Sequence, residues 1–317
     1  MHEHSAHADQ VYASAQSAAA SSAVVASWRR CMTMHRLAPE EKRLPVRLTE
    51  QEFRAAREQS ERLVAEAADE LDRLFLTIGK AGCCLLLTDR EGIALERRGT
   101  SGDDKDFRDL GLWTGTVWTE ASIGTNGIGT ALADERAVAI IRDQHFFSSN
   151  IDLSCTTAPI RDHRGRLAGA LDVSTCREDM TEVTLAILSQ TVREAAARIE
   201  VNLFRSAFAG ARFVMVPTET GATSALLAVD RNDIVLGATR AARLALRLDD
   251  QCIAAGIPAA DALQENRAGS SADLREAERA ALLRALSRAN GNVSQAAVAL
   301  GMSRATLHRK MNKFGLH

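Results

Sequence analysis

The sequence lacks the features of a membrane-inserted or secreted protein. No apolar run in its 317 residues approaches the roughly 18 residues that a membrane-spanning helix needs. The first residues, MHEHSAHADQ, contain no signal-peptide core, and their composition predicts a disordered N-terminus. The six cysteines have irregular spacing without a CxxC pair, which is typical of thiols in a reducing compartment. We therefore expect a cytoplasmic protein without a membrane partner.

A strong net charge is also missing, since 39 Lys and Arg residues face 41 Asp and Glu residues. This balance argues against uniform coating of nucleic acid by the whole chain. Residues 274–317 are different, because they contain eight Lys or Arg residues and only two Glu residues. A basic end on an acidic body indicates a nucleic-acid-binding segment.

The spacing of apolar residues divides the rest of the chain. Residues 1–79 have a helical pattern with a capping box at Thr49 and Glu52. Residues 80–178 predict an α+β domain whose antiparallel strands lie at 83–89, 93–99, 137–143, 154–162 and 167–175. Within this domain, GTNGIGTALADE predicts a short helix that is entered through glycines.

One long helix is predicted at 179–210, followed by two strands and a Thr239-capped helix within 211–264 and a linker at 265–273. The apolar residues of the long helix recur at intervals of three and four: Leu185, Leu188, Val192, Ala195 and Ile199. This spacing fits either a dimer seam or a helix that packs on its own domain, and both interpretations stay open.

The basic end contains the pattern of an all-α helix-turn-helix. Ala297 is small where two helices would cross, Gly301 allows a positive φ in the turn, and Leu307 anchors the second helix. The residues expected to face the major groove of double-stranded DNA are Ser303, Arg304, Thr306, His308, Arg309, Lys310 and Lys313. The stretch NGNVSQAAVALGMSRATLHRKMNKFGL resembles the Fis-type helix-turn-helix, which implies DNA binding as a homodimer.

Other motifs resemble the acetoin-catabolism regulator (AcoR-like) family. WTEASIGTNGIGTALADERAV and HFFSSNIDLSCTTAPIRDHRGRLAGALDVS are similar to its GAF domain, and SWRRCMTMHRLAPE is similar to its N-terminal signature. ALLAVDRNDIVLGATRAARLAL resembles the start of its PAS-like segment. The resemblance implies a GAF sensor at 80–178, a signalling helix at 179–210, a short PAS-like remnant at 211–264 and a DNA-binding domain at 274–317.

The chain departs from that family at one point. Family members carry an AAA+ ATPase that acts on sigma-54 polymerase, whereas this sequence contains neither a GxxxxGK[ST] phosphate loop nor a GAFTGA loop. We therefore expect no ATPase activity, no other enzyme activity and no cofactor or metal. Regulation would then act by occupying promoters or by contact with RNA polymerase.

The family resemblance also implies a ligand-binding set inside the GAF domain. Its members are Trp118, Thr119, Ile123, Thr125, Asn126, His145, Phe146, Cys155, Thr157 and Ala158. The set combines apolar walls with hydrogen-bonding groups and has no cationic cluster, which favours a small ketone, alcohol or aromatic effector. The alternative is that these residues form a closed core.

The sequence as a whole predicts a metabolite-responsive, dimeric transcription regulator. A second hypothesis is an architectural Fis-like DNA binder with a degenerate sensor. A redox sensor that uses Cys83 and Cys84 is a third, although neighbouring residues of a strand point to opposite faces. A methionine sulfoxide reductase that uses these cysteines with Cys155 would leave the basic end unexplained.

Overall fold

The computed structural model describes residues 2–16, 22–177, 180–218, 224–263 and 270–316. It divides into two compact units, Met1–Ala259 and Ala260–His317. Residues 265–269 of the predicted linker lie outside the described residues. The other four residues of that linker belong to a helix that begins at Ser270. None of the helices in the described ranges is long and apolar enough to cross a membrane.

Four helices precede the central sheet. They are α1 (His2–Gln16), α2 (Ala23–Thr33), α3 (Glu50–Gln59) and α4 (Glu61–Ile78), with the short strand β1 (Val46–Arg47) before α3. The expectation of a disordered N-terminus is wrong, because α1 begins at residue 2. Val11 and Ala15 are buried against Trp28 of α2, which the sequence did not predict. This long-range contact has no local signature.

The central sheet is antiparallel and has five strands. These strands are β2 (Cys83–Asp89), β3 (Ala94–Arg98), β5 (Val138–Ile141), β6 (Ser154–Arg161) and β7 (Leu167–Thr175), in the spatial order β3-β2-β7-β6-β5. A two-residue strand, β4 (Thr116–Val117), pairs with β1. The sequence predicted all five long strands, because each is a short apolar run bounded by turn residues.

Each face of the central sheet is covered by helices. One face, with Cys83 and Leu85, packs on α4 and on α8 (Glu182–Ala207). The other face, with Cys84, Leu86 and Cys155, lies in a cluster with residues from α5 (Asp104–Asp109), α6 (Glu120–Ile123) and α7 (Gly127–Asp134). We call this second side the α7 face. Because successive side chains of a strand point to opposite faces, the same strands supply residues to both clusters.

The heptad positions of α8 are buried within their own domain. One apolar cluster combines residues of α4, of the central sheet and of α8, and its members from α8 include Leu188, Val192, Ala195 and Ile199. Arg198 Nε of α8 donates to Glu70 Oε2 of α4 at 2.6 Å. Of the two interpretations of the spacing, the structure supports packing on the same domain.

A smaller antiparallel sheet follows α8. Its strands are β8 (Arg212–Met215), β9 (Leu226–Val229) and β10 (Val235–Ala238), in the order β10-β9-β8. The short helices α9 (Arg240–Leu246), α10 (Asp250–Ala254) and α11 (Ala259–Ala262) come next, and Thr239 caps α9 as predicted. The strand β8 was not predicted.

The C-terminal unit contains α12 (Ser270–Arg288), α13 (Val293–Ala299) and α14 (Arg304–Phe314). Its core combines Leu282, Ala297 and Leu307. Gly301 has a φ of +63° in the turn between α13 and α14, as the sequence predicted, because only glycine adopts this conformation without strain.

Candidate ligand face and nucleic-acid helix

The N-terminal helix α2 is bonded to the loops that cover the α7 face. Ser27 Oγ donates to Glu120 Oε1 at 2.5 Å. Arg30 donates from Nε and Nη2 to the two oxygens of Glu120 at 2.8 and 2.7 Å, and its Nη2 lies 3.0 Å from Asp134 Oδ1. Hydrogen bonding to Glu120 raises the pKa of Arg30 above its ordinary value. The segment SWRRC therefore holds α6 and α7 in place.

Two of the ligand-set residues are the N-caps of α6 and α7, Thr119 and Asn126. Asn126 Oδ1 accepts from Gly129 N at 2.8 Å, and Asn126 Nδ2 donates to Gly124 O at 2.8 Å. Thr119 Oγ1 accepts from Ser122 N at 3.2 Å. Both side chains are occupied by backbone groups of their own loop, so their contacts position the helix ends.

Three other members of the set point away from Cys155 and Thr157. Thr125 Oγ1 lies 2.7 Å from Ser27 Oγ, and Phe146 packs in the cluster with Trp28 of α2. Ala158 lies in the cluster on the α4–α8 side of the sheet. Placing Ala158 with Cys155 and Thr157 was wrong in geometry, because its position along the strand differs from theirs by three and by one, and odd differences point to opposite faces.

The remaining members, Trp118, Ile123, His145, Cys155 and Thr157, belong to the α7 side of the domain. A buried polar chain runs through three of them, His145, Cys155 and Thr157. His145 Nε2 lies 3.5 Å from Cys155 Sγ, which lies 3.1 Å from Ser174 Oγ. Asp172 lies 2.6 Å from Ser174 Oγ and accepts from Thr157 Oγ1 at 2.5 Å. The chain joins polar groups of β6 and β7 beneath α7.

Burial sets the protonation of this chain. It raises the pKa of Asp172 to about 6, against the hydrogen bonds from Ser174 and Thr157, which lower it. Burial likewise lowers the pKa of His145 to about 4, so its ring is neutral at pH 7. The pKa of Cys155 is raised well above its ordinary value by the same desolvation. The chain therefore offers neutral hydrogen-bonding groups and one titratable carboxyl group.

Sequence reasoning missed Asp172, Ser174 and Arg97. Asp172 had a visible signal, since it is an acid in the middle of the apolar strand LAGALDVST. Arg97 of β3 pairs with Leu86 and therefore points to the α7 face. Its Nη1 lies 2.8 Å from Asp104 Oδ1, and its guanidinium lies 4.3 Å from the ring centroid of Trp113.

Arg97 retains hydrogen-bonding capacity in this buried position. Its side chain is 10% exposed, and its Nε and Nη2 are buried without a hydrogen-bond partner in the described part of the chain. A buried donor without an acceptor costs about 1–3 kcal/mol. An oxygen-bearing ligand on the α7 face would remove that cost.

The α7 face is closed in this structure. A Cβ atom placed on Gly127 of α7 would lie 2.8 Å from Cys155 Cβ and 2.9 Å from Asp172 Oδ1, and it would also collide with Thr157 Oγ1. The backbone of α7 therefore lies directly on the polar chain. A ligand reaches this chain only if α7 moves outward.

The geometry gives no support to a redox pair at Cys83 and Cys84. The two thiols lie in clusters on opposite faces of the sheet. Burial raises the pKa of Cys83 to about 11 and that of Cys84 to about 12. Thiolates, the reactive form of cysteine, are therefore scarce at neutral pH.

The helix α14 presents the predicted DNA-facing residues in two groups. Ser303 caps the helix by accepting from Thr306 N at 3.1 Å. Arg304, His308 and Arg309 are exposed. The ammonium of Lys310 is bonded to Glu278 of α12, and Lys313 Nζ lies 3.9 Å from the other oxygen of Glu278. One acidic side chain therefore holds both lysines.

The chain combines an α+β domain that follows four helices with a three-helix unit of the helix-turn-helix type. The family model of the MimR N-terminal domain matches residues 6–200, from α1 into α8. The model of the Fis family of bacterial regulatory proteins matches residues 273–314. The chain therefore belongs to the AcoR-like family of regulators with a MimR-type N-terminal domain, and it lacks that family's ATPase motifs.

Curated relatives are similar over a little more than half of the chain. The acetoin catabolism regulatory protein of Cupriavidus necator is 32% identical over 181 residues, which are 57% of this chain and 27% of that protein. The propane 2-monooxygenase operon transcriptional activator MimR of Mycolicibacterium smegmatis is 28% identical over 187 residues, 58% of this chain and 30% of that protein. The chain thus matches less than a third of the length of either relative.

One solved structure supports the fold. The Escherichia coli DhaR(N)–DhaL complex contains a chain that aligns with a TM-score of 0.51 and 20% identity, covering 72% of this chain and 77% of that one. At this identity the match concerns the fold alone.

Proposed function

We propose that this protein is a dimeric, ligand-responsive regulator of transcription. Residues 80–178 act as a GAF sensor and 211–264 as a PAS-like remnant, and the helix-turn-helix at 274–317 binds the operator. The observation that carries the proposal is the buried polar chain from His145 to Thr157. The same polypeptide contains a Fis-type helix-turn-helix. Groups whose pKa values are shifted by burial, such as His145 and Asp172, cluster at functional sites.

The effector in this proposal is a small neutral metabolite with a carbonyl or hydroxyl oxygen. Asp104 already balances the charge of Arg97, whose Nε and Nη2 atoms have no hydrogen-bond partner in the described residues and call for a neutral acceptor. Asp172, Ser174 and Thr157 supply groups for a ligand hydroxyl. Trp118 and Ile123 supply the apolar wall. Ketones, alcohols and aromatic compounds that carry such an oxygen fit this set.

DNA binding in this proposal uses α14 in the major groove. Ser303, Arg304 and Thr306 meet base edges at the start of the helix, and the remaining members of the set, His308, Arg309, Lys310 and Lys313, meet phosphates. Two modules in a dimer would contact half-sites about one helical turn apart. Because the chain has no ATPase motif, regulation acts through promoter occupancy or through contact with RNA polymerase.

The names of the relatives indicate the range of effectors and partners. They include regulators of acetoin catabolism and of a propane 2-monooxygenase operon. The DhaR N-terminal region was solved in complex with DhaL. We propose that this chain controls a catabolic operon, as the names of these relatives say of them. We also propose that its N-terminal domain binds a protein partner.

Operator affinity with and without effector tests the proposal. Ketones, alcohols and aromatic acids are first screened by thermal shift, and the compound that raises the melting temperature is added to a DNA-binding titration. The effector is expected to change affinity by about 5- to 150-fold. Asp172→Asn should reduce this response, and Asp233→Asn, on the exposed β9–β10 turn, serves as the control. An affinity that no compound alters would contradict the proposal.

An architectural DNA binder is the second candidate function. The contact of Gly127 with the polar chain favours it, because a permanently closed face binds no effector. In that case every compound leaves the melting temperature unchanged, and the protein bends DNA with weak sequence preference.

A further inference from the structure

A cavity of about 480 Å³ lies away from the α7 face, within the unit Met1–Ala259. It is bounded by the β6–β7 turn at residues 162–166, the end of α8, β10 and α10. Its principal lining residues are His163, Arg164, Phe208, Leu236, Arg243 and Ile253. Its volume falls within the range of about 300–1,000 Å³ typical of small-molecule sites.

One side of this cavity is apolar. Phe208 and Ile253 line it, and Leu236 is 46% exposed, although it is a large hydrophobic residue on a strand. Phe208 lies over β10 because Gly237 has no side chain, since a Cβ there would lie 2.6 Å from Phe208 Cε2. The His163 ring stands at 70° to the Phe208 ring, with 6.0 Å between centroids. These surfaces suit a flat or branched apolar group.

The lining of the cavity also carries one uncompensated positive charge. Arg243 Nη1 lies 2.8 Å from Asp250 Oδ1, and Arg243 Nε donates to Ala238 O at 3.0 Å. Arg164 is exposed, and in the described residues its guanidinium has no hydrogen-bond or ion-pair partner. The lining therefore sums to two guanidinium groups and one carboxylate, which leaves a single positive charge at Arg164.

His163 adds a hydrogen-bonding group and no charge at neutral pH. Desolvation lowers its pKa, and Arg62, Arg164 and Arg243 lower it further, against the opposite effect of Asp162. The neutral ring can donate to an anion or accept from a hydroxyl group.

We propose that this cavity binds an organic monocarboxylate with an apolar body. Arg164 holds the carboxylate in a charge-assisted pair, His163 donates to it, and Phe208, Leu236 and Ile253 enclose the body. The bound acid would join the β6–β7 turn to the small sheet. This site goes beyond the effector site on the α7 face, with which it shares no residue.

Titration of the full chain with benzoate tests the proposal, with the methyl groups of Leu236 and Ile253 observed by NMR. Benzoate combines a carboxylate with an apolar ring, whereas acetate has only the first and benzyl alcohol only the second. Benzoate is expected to shift both methyl signals and to bind at least about tenfold more tightly than either partial mimic. Equal binding of benzoate and benzyl alcohol would overturn the proposal.

Matched variants locate the binding. Arg164→Gln should weaken benzoate about tenfold and leave benzyl alcohol unchanged, because only the charged pair is lost. Leu236→Ser should weaken benzoate and leave acetate unchanged. Arg231→Gln, an exposed arginine on the β9–β10 turn, is the control and should bind benzoate like the wild type. Unaltered benzoate binding by Arg164→Gln, or shifts confined to methyl groups of the α7 face such as those of Ile123, would also overturn it.

Discussion

Ser27 and Glu120 are 93 positions apart in the chain, yet Ser27 Oγ donates to Glu120 Oε1 at 2.5 Å. Glu120 is 4% exposed, and Arg30 supplies its other hydrogen bonds. A buried carboxylate without its cation is strongly destabilising. The N-terminal helix α2 is therefore part of the folded domain beside the α7 face, and the bond between them depends on Arg30.

The first prediction concerns the ion pair between Arg30 and Glu120. Arg30→Met should lower the free energy of unfolding by about 2–3 kcal/mol, less than for a fully buried pair because Arg30 itself is 26% exposed. Urea unfolding of the full chain measures the loss. Arg43→Met is the control, since the Arg43–Glu41 pair has both side chains at least a third exposed and should contribute less than about 1 kcal/mol. Equal losses for the two variants would contradict the assigned role of Arg30.

A second prediction concerns pH and Asp172. Its pKa in the folded protein is raised from 3.8 to about 6 by burial. The folded state therefore binds the proton more tightly than the unfolded state, so this contribution to stability is full below about pH 4 and is lost as the pH rises through 6. Asp172→Asn has no proton to lose. It should gain stability relative to the wild type over this interval, by about 2–3 kcal/mol at most.

Urea unfolding of wild type and variant at several pH values between 4 and 7 measures that difference. Other groups with shifted pKa values, including His145 and Glu200, are present in both proteins and largely cancel. A stability difference that is constant with pH would show that Asp172 is ionised throughout.

Local patterns explain what the sequence predicted. The run CCLLLTD became β2, and Thr239 caps the helix that follows it. Each signal lies within a few residues of the element it defines. Binary alternation and capping therefore needed no knowledge of distant contacts.

Contacts between distant segments explain what the sequence did not predict. The helix α1 is polar in composition, and its order depends on packing beside Trp28 and Phe147. Arg97 looked like a surface residue in ALERR, and only its pairing with Leu86 shows that it points to the α7 face. Side-chain direction on a strand follows from register, and register is a property of the whole sheet.

A third prediction concerns the turn between α13 and α14. Gly301 has a φ of +63°, and no atom of the described residues lies within 4 Å of a Cβ placed there. The constraint is therefore conformational rather than steric. Gly301→Asn should cost less stability than Gly301→Val, because asparagine tolerates the left-handed region and a β-branched residue does not. Thermal unfolding of the full chain, followed by DNA affinity at a temperature where both variants are folded, tests this order.

The last prediction concerns Glu278, which holds Lys310 and Lys313 of α14. Without this carboxylate, both ammonium groups are free to contact phosphates with all their donors. Glu278→Gln should therefore strengthen binding to DNA of any sequence, and it should steepen the dependence of log affinity on log salt by about 0.9 for each lysine released.

Glu58→Gln removes a negative charge from the other unit and should leave the salt dependence unchanged. Arg304→Ala supplies the opposite case, since losing a base contact costs about 1–3 kcal/mol at the operator and little at unrelated sequences. If Glu278→Gln weakened binding to all sequences, the carboxylate would be holding the lysines in the geometry that DNA requires, and their proposed release would be refuted.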